Sequence, residues 1–328
     1  MTTPALSIIV VSYNTCEMTL ACLRSVFEQT RDTTFELLVI DNQSSDGSAD
    51  AIEAEFGGRV ALVRSADNLG FARANNVLAQ RATGRYLLLL NPDTVVLDGA
   101  IDRLMAFAAQ RPQAAIWGGR TLFGDRSLNP TSCWRRQTLW SLVCHATGLS
   151  AVFRKSSLFN PEGMGSWKRD SEREVDIVTG CFFLIERSLW ERLSGFDPAF
   201  FMYGEEADLC LRARALGARP RMTPTAEIVH YGGASERVKA DKLVRLLRAK
   251  AMLIRRHWPP MAAAVGVRLL ALGCLTRSAV ARAGWLIDRT RAERVLGYWG
   301  AGWTRRSEWM AEWQEATAPT EGQRVVSC

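Results

Sequence analysis

The stretch that most constrains the fold is Arg85-Tyr86-Leu87-Leu88-Leu89-Leu90-Asn91-Pro92-Asp93-Thr94. Four leucines in a row leave no polar face, so the run reads as a strand buried on both sides. Such a strand sits in the middle of a parallel sheet covered by helices. Pro92 has no N–H for a ladder and pushes Asn91 into an extended or turn conformation, so the strand stops there. The stop delivers Asp93 to the carboxyl end of a central strand, the edge at which ligands bind in open α/β sheets. A carboxylate there can hold a metal on a diphosphate, or can cap a solvated turn. The stretch alone fits both.

The flanking sequence repeats one pattern. Residues Leu6 to Asn14 read as a first buried strand with a polar end, followed by a helix from Glu17 to Gln29 with Leu20, Leu23, Val26 and Phe27 on one face. Phe35 to Asp41 is a second strand ending on an acid, and Asn42 to Ser48 is turn and N-cap chemistry. A short helix to Phe56, a strand Val60–Arg64 and a helix opening at Asn68-Leu69-Gly70-Phe71-Ala72-Arg73 lead into the leucine run. This alternation predicts a parallel sheet with right-handed crossovers. After Asp93 come a helix from Gly99 to Gln110 and a strand at Ala114–Gly118. Residues 122–172 lack clear periodicity and read as a long, mobile excursion over the binding edge. Order returns at Val175–Ile185, then in a helix whose first turn holds Glu205, Glu206 and Asp208, and in a last strand at Ala226–Tyr231.

Charge separates the end of the chain from its body. Lys242 to Arg306 holds fourteen Lys and Arg against Asp288 and Glu293, a balance of +12, which leaves −5 for the rest of a chain of net +7. A basic tail can meet an anionic membrane, nucleic acid or solvent. No recognition motif supports nucleic acid, so none is expected as a partner. Met261–Leu275 is apolar over about fifteen residues with Arg268 inside, short of the roughly twenty that a spanning helix needs. Trp299, Trp303, Met310 and Trp313 recur at helical spacing, and Trp with Arg favours a membrane interface. Peripheral docking on the inner face of the cell membrane is therefore one expectation, and packing of the tail on the body is the other. The eight cysteines form no Cys-x-x-Cys pair and read as reduced thiols. The opening residues lack a basic n-region, so a cytoplasmic location is expected.

Five stretches together carry a resemblance: Val11-Ser12-Tyr13-Asn14; Val39-Ile40-Asp41-Asn42 with Ser45-Asp46-Gly47-Ser48; Asn68-Leu69-Gly70-Phe71-Ala72; Asn91-Pro92-Asp93-Thr94; and Gly195-Phe196-Asp197 running to Glu205-Glu206-Ala207-Asp208-Leu209-Cys210. Over roughly residues 6 to 236 the chain resembles the inverting family-2 glycosyltransferases of GT-A fold, especially their rhamnosyltransferase-like branch. The resemblance implies a mostly parallel central sheet flanked by helices, with a catalytic domain at 1–236 and a basic, Trp-rich helical region at 237–328. It also implies a nucleotide-diphosphate sugar donor (a dTDP- or UDP-sugar, rhamnose among the candidates) and a glycan or lipid-linked saccharide as acceptor.

The roles that follow are implied in the same way. Tyr13 and Asp41 would take the base, Asp41 accepting its imino N–H, and Asn68, Gly70, Arg73 and Asn91 would complete the nucleotide wall. Asn91-Pro92-Asp93 is similar to the family's Asp-x-Asp with the first acid replaced. Asp93 and His230, the latter followed by Gly232-Gly233, would meet Mg²⁺ or Mn²⁺ with the donor phosphates. Glu206 stands at the position of the general base, and its acidic neighbour raises at least one of the two pKa values. Asp176, Gly180, Asp197, Glu205 and Asp208 would face the acceptor. A sugar nucleotidyltransferase would want a Gly-rich loop with Arg and Lys where Asn14-Thr15-Cys16-Glu17-Met18 stands. An inactive sugar-nucleotide-binding relative is suggested by Asn91 and Glu206 themselves.

Overall fold

The computed structural model describes residues 3–232, 238–285 and 287–311. Gly233, the 236/237 boundary and Trp313 lie outside them. Eleven strands appear in chain order: β1 Leu6–Ser12, β2 Phe35–Asp41, β3 Ala61–Arg64, β4 Tyr86–Leu90, β5 Thr94–Val96, β6 Ile116–Leu122, β7 Cys133–Trp134, β8 Arg173–Glu174, β9 Ile177–Val178, β10 Phe182–Glu186 and β11 Arg221–His230. The main sheet has the order β3-β2-β1-β4-β10-β6-β11-β5, with β8 also on β11, and β7 pairs with β9 separately.

The leucine strand sits where its composition demands. Leu87 and Leu89 join the cluster on one face of the sheet, and Leu88 and Leu90 join the cluster on the other. Helices α1 Cys16–Gln29, α2 Ser48–Phe56 and α4 Ala100–Gln110 cover the second face. The first is covered by α3 Gly70–Ala79, α7 Arg187–Arg192 and α8 Glu205–Ala215. The expected α/β class holds, and β1 to β4 pair in parallel. The second half is mixed, because β10 runs antiparallel between β4 and β6.

That reversal builds the site. Phe182 of β10 lies opposite Leu90, so Gly180 and Cys181 fall beside the Asn91-Pro92-Asp93 turn, and the Asn91 N–H donates to the Cys181 carbonyl at 3.1 Å. Downstream of the turn, β5 pairs with the end of β11, setting His230 opposite Thr94, and the Tyr231 N–H donates to the Asp93 carbonyl at 3.0 Å. Two strands far apart in sequence thus converge on one proline turn.

Residues 122–172 are built differently from the excursion that their aperiodic sequence predicts. They contain β7, α5 Leu139–Ala146 and α6 Leu149–Val152. Thr138 and Ser141 close a capping box at the start of α5. Leu142 then packs in one cluster with α9 Lys239–His257, α10 Pro260–Ala283 and Trp309. The partners of α5 lie more than a hundred residues downstream, so a local pattern could not reveal it. Short α11 Arg289–Val295, α12 Ala301–Thr304 and α13 Arg306–Met310 follow. Helix α10 is 24 residues long and, by length and composition, apolar enough to cross a membrane, which exceeds the sequence-based expectation. One face of it is buried against α5 and α9. Trp309 is buried and Trp299 and Trp303 are partly buried in that same cluster, so these aromatics pack against α9 and α10.

Candidate functional site

A single cleft of about 1630 Å³ runs along the carboxyl edge of the sheet and gathers Tyr13, Asn68, Gly70, Asn91, Asp93, Gly180, Glu205, Glu206 and His230. Asp41, Arg73, Asp176, Asp197 and Asp208 stand outside its wall.

At the first end, Asp41 closes β2 opposite Ser12. One of its carboxylate oxygens accepts from the Ser44 N–H at 3.1 Å, while Oδ1 is buried without a partner. A buried carboxylate oxygen left unpaired is costly and suits an N–H brought by a ligand. Asn42, read from the sequence as the start of a turn and given no role in the site, organises the neighbouring loop. Its Oδ1 accepts from the Leu69 N–H at 2.9 Å, and its Nδ2 donates to Asn68 Oδ1 at 3.0 Å. Asn68 Oδ1 also accepts from the Gly70 N–H at 3.0 Å, so the asparagine side chain caps the turn into α3. Gly70 has φ +74°, and a Cβ there would come within 2.6 Å of the Phe201 ring and carbonyl. Glycine is required by the turn and by that approach together. Arg73 is exposed on α3.

At the centre, His230 Nε2 lies 3.3 Å from Asp93 Oδ1 and 3.5 Å from Asn91 Nδ2. Asn91 Oδ1 is buried without a partner. Burial opposes charge on His230, but Cys181 and the Asp93 carboxylate outweigh it and raise the imidazole to about 11. Adjacent ligands of an octahedral Mg²⁺ or Mn²⁺ stand about 3 Å apart, which the Asp93–His230 spacing matches. No group of three or more His, Cys, Asp or Glu able to hold a metal occurs among the described residues. The pair thus fits an ion that takes its remaining ligands from phosphate oxygens and water.

At the start of α8, Gly204 adopts φ +90° and lets the chain turn into the helix with Glu205 and Glu206 in its first turn. A Cβ at Gly180 would lie 3.8 Å from Glu206 Cβ, so the glycine and the acid share one wall. Glu205 Oε2 and Glu206 Oε2 are both buried without partners. Burial raises the Glu206 carboxyl, and burial together with the Glu206 charge raises Glu205 well above the ordinary range. Burial thus favours the protonated form of both acids.

The remaining acids belong to ion-pair networks. Asp208 is fully buried, accepts from Arg212 Nε at 2.7 Å and lies 2.9 Å from His257 Nε2. Burial raises it, but His257 and Arg212 win and hold it below its usual value. Asp197 pairs with Arg256, and its Oδ1 accepts from the Ala199 N–H at 2.8 Å. Asp176 accepts from the Arg136 N–H at 3.0 Å and pairs with Arg214 at 3.3 Å. These contacts tie α8 to α9 and fix the loop before it.

One long feature was missed in the sequence. Lys242, Arg245, Ala249, Lys250, Leu253 and His257 of α9 line the same cleft. Their i, i+3, i+7, i+8 spacing marks one face of a helix, a signal that was present but unassigned.

Comparison with known proteins places these observations. The model of Glycosyl transferase family 2 matches residues 7–193. The chain is 28% identical over 244 residues to the O-antigen biosynthesis protein RfbC of Myxococcus xanthus, covering 73% of this chain and 18% of that protein. It is 29% identical over 210 residues to the N-acetylglucosaminyl-diphospho-decaprenol L-rhamnosyltransferase of Mycobacterium tuberculosis (strain H37Rv), covering 60% of this chain and 66% of that protein. The chain thus spans less than two thirds of the length of either relative. Among solved structures, the mannosyltransferase PcManGT from Pyrobaculum calidifontis, in complex with GDP-Man and Mn²⁺, superposes with a TM-score of 0.55 at 18% identity, covering 94% of this chain and 86% of that one. GalNAc-T7 with UDP, GalNAc and Mn²⁺ gives 0.54 at 17% identity, over 75% and 47%. These likenesses establish the GT-A fold.

Proposed function

This chain belongs to glycosyl transferase family 2, and we propose that it is an inverting, metal-dependent enzyme that moves a sugar, rhamnose first among the candidates, from a nucleoside diphosphate to a hydroxyl of a lipid-linked saccharide. The rhamnose and lipid-linked assignments rest on what the mycobacterial relative is named for. The observation that carries the reading is one cleft holding the Asp93–His230 pair together with the buried, unpartnered oxygen of Glu206.

The roles follow from position. Asp41 Oδ1 receives the imino N–H of uracil or thymine, and Tyr13 covers the base. Asn91, Asp93 and His230 hold the diphosphate end of the donor. A divalent ion bound there supplies counter-charge to the leaving diphosphate. Glu206 accepts the proton of the acceptor hydroxyl as that oxygen attacks the anomeric carbon, and its raised pKa brings it nearer the working pH. The nucleoside diphosphate departs from the opposite side, so a single displacement inverts the anomeric centre. Gly180 leaves room for the acceptor beside Glu206. Asp208, Asp197 and Asp176 support that side by positioning α8 and α9.

In this reading residues 1–236 are the catalytic unit, and α9 completes its acceptor side. The enzyme works in the cytoplasm, its basic tail drawn to the anionic inner leaflet, where each Lys or Arg contributes about 1 kcal/mol at low salt. The test is incubation with dTDP-rhamnose and a polyprenyl-diphosphate-linked sugar. Nucleotide release, the anomeric configuration of the product by NMR, and loss of turnover in EDTA are the expected results. Retention of configuration, or full activity in EDTA, would overturn the inverting or the metal assignment respectively.

A further inference from the structure

His257 closes α9 and stands on the cleft wall with its side chain 20% exposed. Its Nε2 lies 2.9 Å from Oδ1 of Asp208, whose side chain is fully buried. The other carboxylate oxygen, Oδ2, accepts from Arg212 Nε at 2.7 Å. The rest of that guanidinium is spent on backbone: Nη1 donates to the Leu193 carbonyl at 2.7 Å and Nη2 to the Gly195 carbonyl at 2.9 Å. Burial opposes charge on Asp208, but His257 and Arg212 outweigh it, so the carboxylate is ionised and can only accept. The hydrogen between the two side chains therefore sits on Nε2. In a neutral ring the lone pair is then on Nδ1, which has no hydrogen-bond partner among the described residues.

Joining α8 to α9 does not require this ring. Arg256, the preceding residue of α9, pairs with Asp197 and approaches Asp208 Oδ1 at 3.9 Å. Lys250, earlier on the same helix, ties α9 to the facing segment through Glu162 at 2.7 Å. What the imidazole adds is a second nitrogen. A buried carboxylate that fixes one ring nitrogen, while the ring borders a cleft, sets the tautomer and orientation in which a histidine meets a ligand. The position also limits which ligand atom it can meet. Glu206 and Asp208 are two residues apart on α8 and so point to different sides of that helix. The imidazole held by Asp208 stands round the helix from Glu206 rather than beside it. It suits a hydroxyl other than the one that attacks.

We propose that His257 binds the acceptor saccharide, Nδ1 accepting a hydrogen bond from one of its non-attacking hydroxyls, and that Asp208 is the positioning residue that aims the ring. The proposal rests on the sugar-transfer reading and adds to it a contact that selects among acceptor sugars. A saccharide with a hydroxyl at that place is taken, and one without it is discriminated against.

The test is steady-state kinetics of the full chain with dTDP-rhamnose as donor. The acceptors are farnesyl-diphosphate-linked N-acetylglucosamine and its deoxy analogues, each lacking one hydroxyl. His257→Gln keeps an N–H for Asp208 at the place of Nε2 and has nothing at the place of Nδ1. It should raise acceptor KM by about tenfold, with a smaller change in kcat, an unchanged donor KM and the parent's urea midpoint. Among the analogues that still accept sugar, one should lose about tenfold in kcat/KM with the parent and nothing further with His257→Gln, because the pair is already broken. Asp208→Asn turns an amide N–H toward the imidazole and moves the ring hydrogen to Nδ1; it should raise acceptor KM in the parent background and not further in His257→Gln. A parent-like acceptor KM in His257→Gln, or donor and acceptor KM rising alike, would overturn the proposal and leave the imidazole a tie between helices. Equal losses for every analogue in parent and variant would overturn it too. No transfer by the parent to any of these acceptors would instead strike the sugar-transfer reading, and the proposal with it.

Discussion

The two ends of the cleft are built by opposite strategies. The proposed donor end comes from β1, β2, β4 and the start of α3, strands of one parallel set whose polar ends follow directly on buried runs, and the helix that follows them. Its side chains are held by bonds of smaller sequence reach, such as Asn42–Asn68–Gly70, whose longer step spans 26 residues. The proposed acceptor end comes from β7, β9, α5, α8 and α9, drawn from residues 129 to 258. It is held by ion pairs that span long sequence distances, such as Lys250–Glu162 and His257–Asp208. The donor end is thus fixed by the sheet itself. The acceptor end is a later layer whose geometry depends on the docking of C-terminal helices.

The largest expected effect tests whether the chemistry sits at the junction. Asp93→Ala removes the carboxylate facing His230 and should nearly abolish transfer, as should EDTA on the parent, with the fold intact by circular dichroism. Full turnover in either case would leave other cations as the only counter-charge for the leaving group. Next in size, Glu206→Gln keeps shape but removes proton acceptance and should lower turnover by roughly two to four orders of magnitude, with donor affinity retained. An active Glu206→Gln beside a dead Glu205→Gln would move the base by one residue.

A third substitution strikes the acceptor layer alone. Asp208→Ala leaves Arg212 and His257 without their buried carboxylate. Breaking a buried pair costs up to about 3–5 kcal/mol, less here because the two partners keep some contact with solvent. Urea denaturation should show the loss, and acceptor KM should rise more than donor KM. Equal rises would mean that α9 positions both ends of the cleft equally.

This asymmetry also sets how far the sequence could be read. Asp41, Asp93 and the leucine strand were legible because a two-faced apolar run and a proline stop are local signals. His230 was legible as a strand end, but only the β5–β11 register places it against Asp93. Asp176, Asp197 and Asp208 look like cleft acids in sequence, yet each is engaged by an arginine or histidine brought from another element. Asn42 was legible only as turn chemistry, since the bonds it makes depend on the loop that folds around it. Residues 122–172 resisted reading because the partner of α5 is α10, and α10 in turn reads as too short when its end is not fixed by packing.

The smallest expected effect probes the seam of the acceptor layer. His145 lies between α5 and α10, where Arg277 donates to its carbonyl at 2.8 Å and approaches Nδ1 at 3.3 Å. Burial first, then the charges of Arg277 and Lys250, push the imidazole down to about 3 from an ordinary 6.5. The folded chain therefore resists a proton that the unfolded chain accepts. Its contribution to stability is fully present above about pH 6.5 and is lost as the pH falls toward 3. Replacing the titrating ring by Gln removes that dependence. Urea midpoints of the parent should fall more steeply between pH 7 and 4 than those of His145→Gln, on top of the carboxylate titrations common to both. Parallel curves for parent and His145→Gln would show that acid acts elsewhere, and that the α5–α10 seam is not the weak line of the acceptor layer.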